Sequence, residues 1–397
     1  MQILDYVITA IWLSPLLYFS ILIAGKFFNW RRKSALTKES LEQTKKKVGK
    51  IIFQIPTVGN FQTVNKIFET VKKYDLPVPL ETWVVIEEKD THKTQYICDK
   101  VVVVPVDFVC EDMYKARALE YARRERQKML ADGSLDSDYL LLQGDDDALP
   151  SIEFIKESLI VNADISIGTI TPRPKGVWNT VLDYERCVAC GIFCNFLTNI
   201  GKPLWAHGEG TWLNSNVDRE VSYDISVYTH NNKEKLISSE DSFYFHKASL
   251  MGFKIFNSEK RIFIMPPLTF VDAVKQRRRW VWGELRIINK KMLPLSNRLR
   301  LGFIGFSGVW LYSAAVLGLP LNYLGIIHIP AVLIPLSFTS LGIWFGMRAY
   351  AIGKCMGWKQ GILGSLVSYL TVTLNFITQL IGLMEGDPKT FEVIRKE

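Results

Sequence analysis

The sequence predicts an α/β domain of Rossmann-like type, a largely parallel sheet covered by helices, joined to an α-helical transmembrane domain. Three observations predict it. Between residues 48 and 265, short apolar runs alternate with stretches of helical periodicity, as strands buried on both faces require. Four long apolar stretches lie outside that region, one before it and three after. The mean hydropathy of +0.09 is high for a water-soluble enzyme and low for a polytopic transporter. With 48% hydrophobic and 22% charged residues the composition is that of a globular chain, which excludes a disordered or collagen-like one.

Residues 3–25 form the first apolar stretch, with the single charge Asp5, and at ~1.5 Å per residue they can cross a ~30 Å hydrocarbon core. Their leading end is acidic and the run exceeds the ~7–15 residues of a signal peptide's apolar centre. Residues 1–29 therefore read as an anchor. Nine Lys/Arg against two Asp/Glu between residues 26 and 50 hold nearly all of the net charge of +8. Nucleic-acid binding would spread such charge over a folded face, so no nucleic-acid partner is expected. A basic collar after an apolar span instead puts residues 30–300 in the cytosol.

The cytosolic domain, residues 30–265, is justified strand by strand. IIFQIP (51–56) is a short strand closed by Pro56, followed by a helix over 60–74 with Val64, Ile67, Phe68 and Val71 on one face. TWVVIEE (82–88) and KVVVVPV (100–106) are the next strands, and 112–131 is a heavily charged amphipathic helix. DYLLLQGDDD (138–147) is a buried strand ending in acid. Residues 266–300 mix Trp282, Leu285, Ile287 and Ile288 with Arg286, Lys290, Lys291, Arg298 and Arg300, as a segment lying in a membrane interface would. Residues 301–397 hold the apolar stretches 302–321, 324–346 and 361–383, the first two separated by Pro320, Asn322 and Gly325. Arg348, Lys354 and Lys359 again mark a cytosolic loop, giving a multi-pass membrane protein with its α/β domain in the cytosol. The last stretch is polar for lipid, with Ser365, Ser368, Thr371, Thr373, Asn375, Thr378 and Gln379, and is expected to meet neighbouring helices.

Ligands of such sheets bind beyond the carboxyl ends of strands, where Asp145, Asp146 and Asp147 fall. Three adjacent carboxylates repel one another unless a cation neutralises them. Alternation along a strand end lets Asp145 and Asp147 face one side, and two carboxylates with a diphosphate suit a divalent cation, Mg2+ or Mn2+. Taken alone, the triplet reads equally well as a solvated acidic turn.

It is not alone. Asp145-Asp146-Asp147 resembles the metal- and nucleotide-binding Asp motif of family 2 glycosyltransferases, and Ser239-Glu240-Asp241 their TED motif with Ser for Thr. Gln276-Arg277-Arg278-Arg279-Trp280 matches the QxxRW motif of the membrane-embedded, cellulose-synthase-like members, and Tyr114-Lys115-Ala116-Arg117-Ala118-Leu119 resembles their KAxAL helix start. The order and spacing of all four fit across residues 48–290. GKPLWAHGEGTWLNSNVDREVSYD (201–224) is most similar to the egghead-type β-1,4-mannosyltransferases. The resemblance implies a GT-A domain, inverting transfer from a nucleotide-sugar donor, GDP-mannose above all, and a lipid-linked saccharide acceptor. A processive synthase using a UDP-sugar, and a catalytically dead scaffold, are the alternatives.

On that resemblance Asp241 is the base on the acceptor hydroxyl, with Glu240 beside it; a helix N-terminus capped by Ser238 or Ser239 explains the same residues structurally. Asp145 and Asp147 hold the metal, while Asp146, Gln276, Arg278, Arg279 and Trp280 meet the donor diphosphate; Arg and Trp there also suit headgroup anchoring, a role for Arg277. Pro56, Thr57, Glu87 and Glu88 are expected around the nucleobase, with Lys115 nearby or merely covering a helix face. Trp205, His207, Glu209, Trp212 and Trp280 are expected to line the acceptor, although a lone His more often fills a structural hydrogen bond. Cys187-x2-Cys190-x3-Cys194 invites a metal reading, but a closed zinc site needs a second such pair and the sequence has none. Small buried thiols on an apolar helix are the expectation.

Overall fold

The computed structural model describes residues 48–110, 114–173, 177–228, 239–289, 293–302, 321–328 and 333–388, with scattered positions between 3 and 31 and Ile394. Its centre is an eight-stranded sheet in the order β3-β2-β1-β4-β7-β6-β8-β5. The strands are β1 (Lys50–Pro56), β2 (Leu80–Glu87), β3 (Lys100–Val104), β4 (Tyr139–Gly144), β5 (Leu149–Pro150), β6 (Ile165–Pro172), β7 (Gly210–Asn214) and β8 (Ile255–Ile264). The first four are the apolar runs the sequence marked, and they pair in parallel.

Successive side chains along a strand point to opposite faces, so β1 feeds two cores. Ile51, Phe53 and Ile55 pack with Val64, Ile67 and Phe68 of α1 (Phe61–Lys72). Ile52 packs on the other face with Val85 and with Ala118, Leu119 and Ala122 of α2 (Lys115–Ala131). Part of the charge of α2 is internal, Glu120, Arg123 and Arg126 being buried. Arg126 donates to Asp218 at 2.6 and 2.7 Å, Tyr139 joins the same carboxylate at 2.7 Å, and Glu120 accepts from Arg123, Arg124, Ser222 and the Tyr223 N–H.

The sheet is mixed, where the sequence suggested a largely parallel one. β7 lies between β4 and β6, antiparallel to both, while β8 runs parallel to β6. The cause is the route of the chain. After β6 and α3 (Ile152–Ile160) before it, α4 (Val177–Val188), a π-helical turn (Ala189–Cys194) and α5 (Asn195–Asn199) make one excursion, and the chain re-enters the sheet at the edge it left. Gly210 thereby pairs with Gly144. The stretch before β7 ends beside the three aspartates after β4.

Beyond the sheet come α6 (Ser215–Glu220), α7 (Glu240–Leu250), α8 (Phe270–Asn289), α9 (Leu295–Arg300), α10 (Leu333–Met356), α11 (Trp358–Leu366) and α12 (Ser368–Met384). Among the described residues no single helix is long and apolar enough to cross a membrane; α11 and α12 pass that test only as a pair, bent by 69°. Most of the stretch 3–25 and nearly all of 302–321 lie outside the described residues, and the expected span 324–346 corresponds to a helix that runs over 333–356. The last expected span is thus two helices. Its polar residues Ser368, Thr371, Asn375 and Thr378 are buried, and Asn375 accepts from Arg277 Nε at 3.0 Å. The headgroup role for Arg277 is corrected accordingly: its guanidinium is buried among α4, α8 and α12. Arg286 and Ile287 are buried too, Arg286 on Asp387, so that part of 266–300 is a packed helix rather than an interfacial one.

Candidate active site

Charged groups from three separate elements meet at the carboxyl edge of β4. Lys115, on the first turn of α2, contacts Asp145 and stands 3.5 Å from Glu240. Burial alone would lower the Lys115 pKa, but Asp145, Glu240 and Asp241 around it hold it well above its ordinary value. Thr57, one residue past β1, donates to Asp146 at 3.0 Å, and the N–H of Met265, just past β8, donates to buried Asp147 at 3.3 Å. The triplet is therefore split three ways, with Asp145 toward the ammonium, Asp146 toward β1 and Asp147 toward β8.

Asp241 lies on the first turn of α7, where it accepts from the N–H of Gly208 and of Ser242, both at 2.8 Å. Burial and the neighbouring Glu240 push its pKa up to about 7, against the lowering pull of Lys115. Ser239 does not cap this helix through its side chain; it sits in the left-handed region at φ 64°. Among the described residues Tyr114, directly before Lys115, is the other non-glycine residue with positive φ, at 56°. Strained backbone of this kind costs ~1–3 kcal/mol and persists where surroundings over-determine it. Both strained residues immediately precede a charged group of the site.

The stretch before β7 completes one wall. Glu209 is ion-paired with Arg186 of α4, whose guanidinium stands 5.2 Å from the Trp280 ring, with Arg277 on that ring at 4.4 Å. Trp280 is thus held by two cations within α8 and α4. His207 lies beside Cys190 and Cys194. Trp205 meets Phe193 edge-on at 6.3 Å.

Several expected contacts lie elsewhere. Trp212 is fully buried in the core beneath β4 and cannot stack on an acceptor; it sits on β7, whose alternation turns it inward between glycines and apolar residues. Arg278 donates to the carbonyls of Glu385 and Gly386, binding α8 to the chain after α12. Gln276 is buried and accepts from Arg277 at 2.8 Å, and Arg279 is half-buried on the same helix. Glu87 pairs with Arg117, and Glu88 accepts from the Val106 N–H at 2.8 Å, so both acids shape the rim of β2. Pro56 ends β1 in the core beneath Thr57.

Two residues were not singled out from sequence. Glu284, one helical turn after Trp280 on α8, is driven up to about pH 8 by burial and by Asp241, with a hydrogen bond from Trp205 opposing. Its periodic spacing from Gln276 and Trp280 is the signal that could have found it. Arg186 carried no signal, because its partner Glu209 lies beyond two helices.

Residues 145–377 match the family described as glycosyl transferase family group 2, more than half of the chain and a span that opens on Asp145. The chain belongs to that family. It is 26% identical over 254 residues to the β-1,4-mannosyltransferase egh of Drosophila melanogaster, across 57% of this chain and 49% of that protein. The chain thus spans about half the length of that relative. Among solved structures, S. aureus TarS in complex with UDP aligns over 88% of this chain and 95% of that one, with 12% identity and a TM-score of 0.34. Glucosyl-3-phosphoglycerate synthase from Mycobacterium tuberculosis, with Mn2+, UDP-glucose and glycerol 3-phosphate, aligns over 58% and 78%, with 12% identity and a TM-score of 0.34.

Proposed function

We propose that this chain is an inverting, metal-dependent glycosyltransferase that moves mannose in β-linkage from GDP-mannose onto a lipid-linked saccharide. The observation that carries the reading is the meeting of Asp145, Lys115, Glu240 and Asp241 at one strand edge. Inverting transfer is a single displacement that needs a base on the acceptor hydroxyl and charge stabilisation on the departing diphosphate. Asp241 is suited to the first task, because a carboxyl poised near pH 7 takes a proton efficiently there.

Hard carboxylate oxygens such as those of Asp145 and Asp147 suit Mg2+ or Mn2+. In the structure the two turn to different partners, Lys115 and the Met265 N–H, and would have to converge on the ion. The Lys115 ammonium against Asp145 marks a place where positive charge is already stabilised. When bound there, a divalent cation would neutralise diphosphate charge as a Lewis acid. Lys115 itself adds a fixed cation beside that group. Arg186 and Trp280 give the acceptor side a charged, aromatic wall, with Glu209 holding Arg186 in place.

The reading includes attachment to a membrane with the catalytic domain in the cytosol. Its support is the outward face of α11 and α12, where Ile362, Leu366, Tyr369, Leu370, Leu380 and Met384 are exposed while their polar neighbours are buried. A surface that is apolar outside and polar inside is stable against lipid and costly in water. An acceptor with a lipid tail would reach the site along that face.

The test is donor turnover with GDP-mannose, UDP-glucose and UDP-N-acetylglucosamine, each against a lipid-tailed saccharide and the same saccharide without its tail. Preference for GDP-mannose and for the tailed acceptor is expected. Turnover of a UDP-sugar alone would overturn the donor assignment, and equal use of the tailless saccharide would overturn the lipid acceptor. Asp147→Ala is expected to abolish metal-dependent donor binding, and wild-type affinity insensitive to EDTA would refute the cation site.

A further inference from the structure

Cys190 Sγ lies 2.9 Å from His207 Nε2 and Cys194 Sγ 3.7 Å from the same nitrogen, and all three ligand atoms fall within 4.8 Å of one another. It is the one such group of three or more His, Cys, Asp or Glu ligands among the described residues. We propose that Cys190, Cys194 and His207 form a binding site for a thiophilic divalent cation of the zinc type, separate from the aspartates that would meet the donor.

The ligand set suits that metal and not the other. Two thiolates and an imidazole are soft to borderline donors, the chemistry that selects zinc over magnesium or manganese. A tetrahedral ion at ~2.3 Å from sulfur and ~2.0 Å from nitrogen holds the two donors about 3.5 Å apart. Cys194 already stands at that separation, and Cys190 reaches it by drawing back roughly half an ångström, by the same geometry. Three protein ligands leave a fourth position for water.

The fold assembles the site from segments that sequence spacing does not connect. Cys190 and Cys194 lie in the π-helical turn Ala189–Cys194, and π-helical turns inside α-helices occur often at functional sites. His207 comes from the stretch that re-enters the sheet as β7. Cys187, the first of the cysteine run, interacts instead with Cys355 of α10. Both thiols of the cluster are fully buried. Binding releases the thiol protons to solvent.

The consequence is mechanical. His207 precedes Gly208, whose N–H holds Asp241, and Glu209, which holds Arg186. A cation on His207 would pin that stretch to the helical excursion and set the position of both contacts.

The test uses the full-length, metal-free protein and Co2+ as a spectroscopic probe. One equivalent is expected to give a thiolate-to-cobalt charge-transfer band with tetrahedral visible bands, both displaced by Zn2+. Cys190→Ser and Cys194→Ser should each lose the charge-transfer intensity, His207→Gln should weaken it, and Cys187→Ser should keep it. Absence of the band in the wild type, or its survival in the Cys190→Ser/Cys194→Ser double variant, would overturn the site. Should those variants fail to fold, X-ray absorption at the zinc edge of the wild type loaded with one equivalent of Zn2+ decides. Sulfur ligands at ~2.3 Å are expected, and a shell of oxygen and nitrogen alone would refute the proposal.

Discussion

The N–H of Gly208 donates to Oδ2 of Asp241 at 2.8 Å, and a Cβ at position 208 would lie 2.6 Å from Lys115 Nζ and 3.1 Å from that same oxygen. Glycine is required here by proximity rather than by backbone freedom. Any side chain would push the ammonium and the carboxylate apart, along with the Asp145 contact that Lys115 makes.

Gly208→Ala is therefore expected to lower transfer at least tenfold, with a small effect on stability because the lysine end can move. Donor titration and thermal unfolding of the purified variant separate the two. Transfer within a factor of two of wild type would show that the contact does not position Asp241.

Asp241→Asn should retain donor binding and lose about 10²–10⁴-fold in transfer, the usual contribution of a general base. Because burial and Glu240 raise the Asp241 pKa to about 7, wild-type kcat/KM should climb with pH through that value and then level off. A flat profile across it, or a variant reduced only two- or threefold, would leave Asp241 as a helix-end residue without a catalytic part.

Glu284 makes a different prediction, about stability. Its pKa rises from 4.5 to about 8 on folding, and that of Asp241 from 3.8 to about 7. A raised acid contributes stability that is fully present below its unfolded pKa and is lost as pH rises through the folded value. Glu284→Gln removes that loss, so its Tm relative to wild type should increase between about pH 5 and about pH 9. A constant difference over that range would show that Glu284 is not held protonated by its surroundings.

Much of the fold was legible because β1, β2 and β4 are buried over most of their length and read as near-continuous apolar runs, interrupted only by residues such as Gln54, Thr82 and Gln143. The site was legible in pieces. Asp145, Lys115, Glu240 and Asp241 come together as their order suggested, since strand ends and helix starts are where a sheet of this kind collects its ligands. What could not be read was pairing across the helical excursion. Nothing local tells that Arg186 meets Glu209 or that His207 meets Cys190, and requiring a second cysteine pair overlooked a ligand from a distant loop. The buried charges of α2 could not be read either: nothing local tells that Arg126 meets Asp218 across the fold.

Two of the three tryptophans expected at the acceptor, Trp212 and Trp280, separate cleanly in the structure, and they can be separated by experiment. Trp212 is wholly buried on β7, packed with the residues that fill the core beneath β4. Removing a buried aromatic ring costs the transfer energy of the side chain plus the cavity it leaves, about 3–5 kcal/mol for a change to alanine. Trp212→Ala should therefore unfold at markedly lower denaturant. Trp212→Phe, which keeps most of the volume, should restore most of the stability and leave acceptor KM unchanged. Trp280 lies on α8 with Arg186 and Arg277 against its ring and remains partly exposed. Trp280→Ala should keep most of its stability while raising acceptor KM or lowering kcat, because it frees Arg186 beside Glu209 as well as removing the ring. If instead Trp212→Phe raises acceptor KM at full stability, the acceptor reaches β7 and the burial of that side chain does not describe the working enzyme.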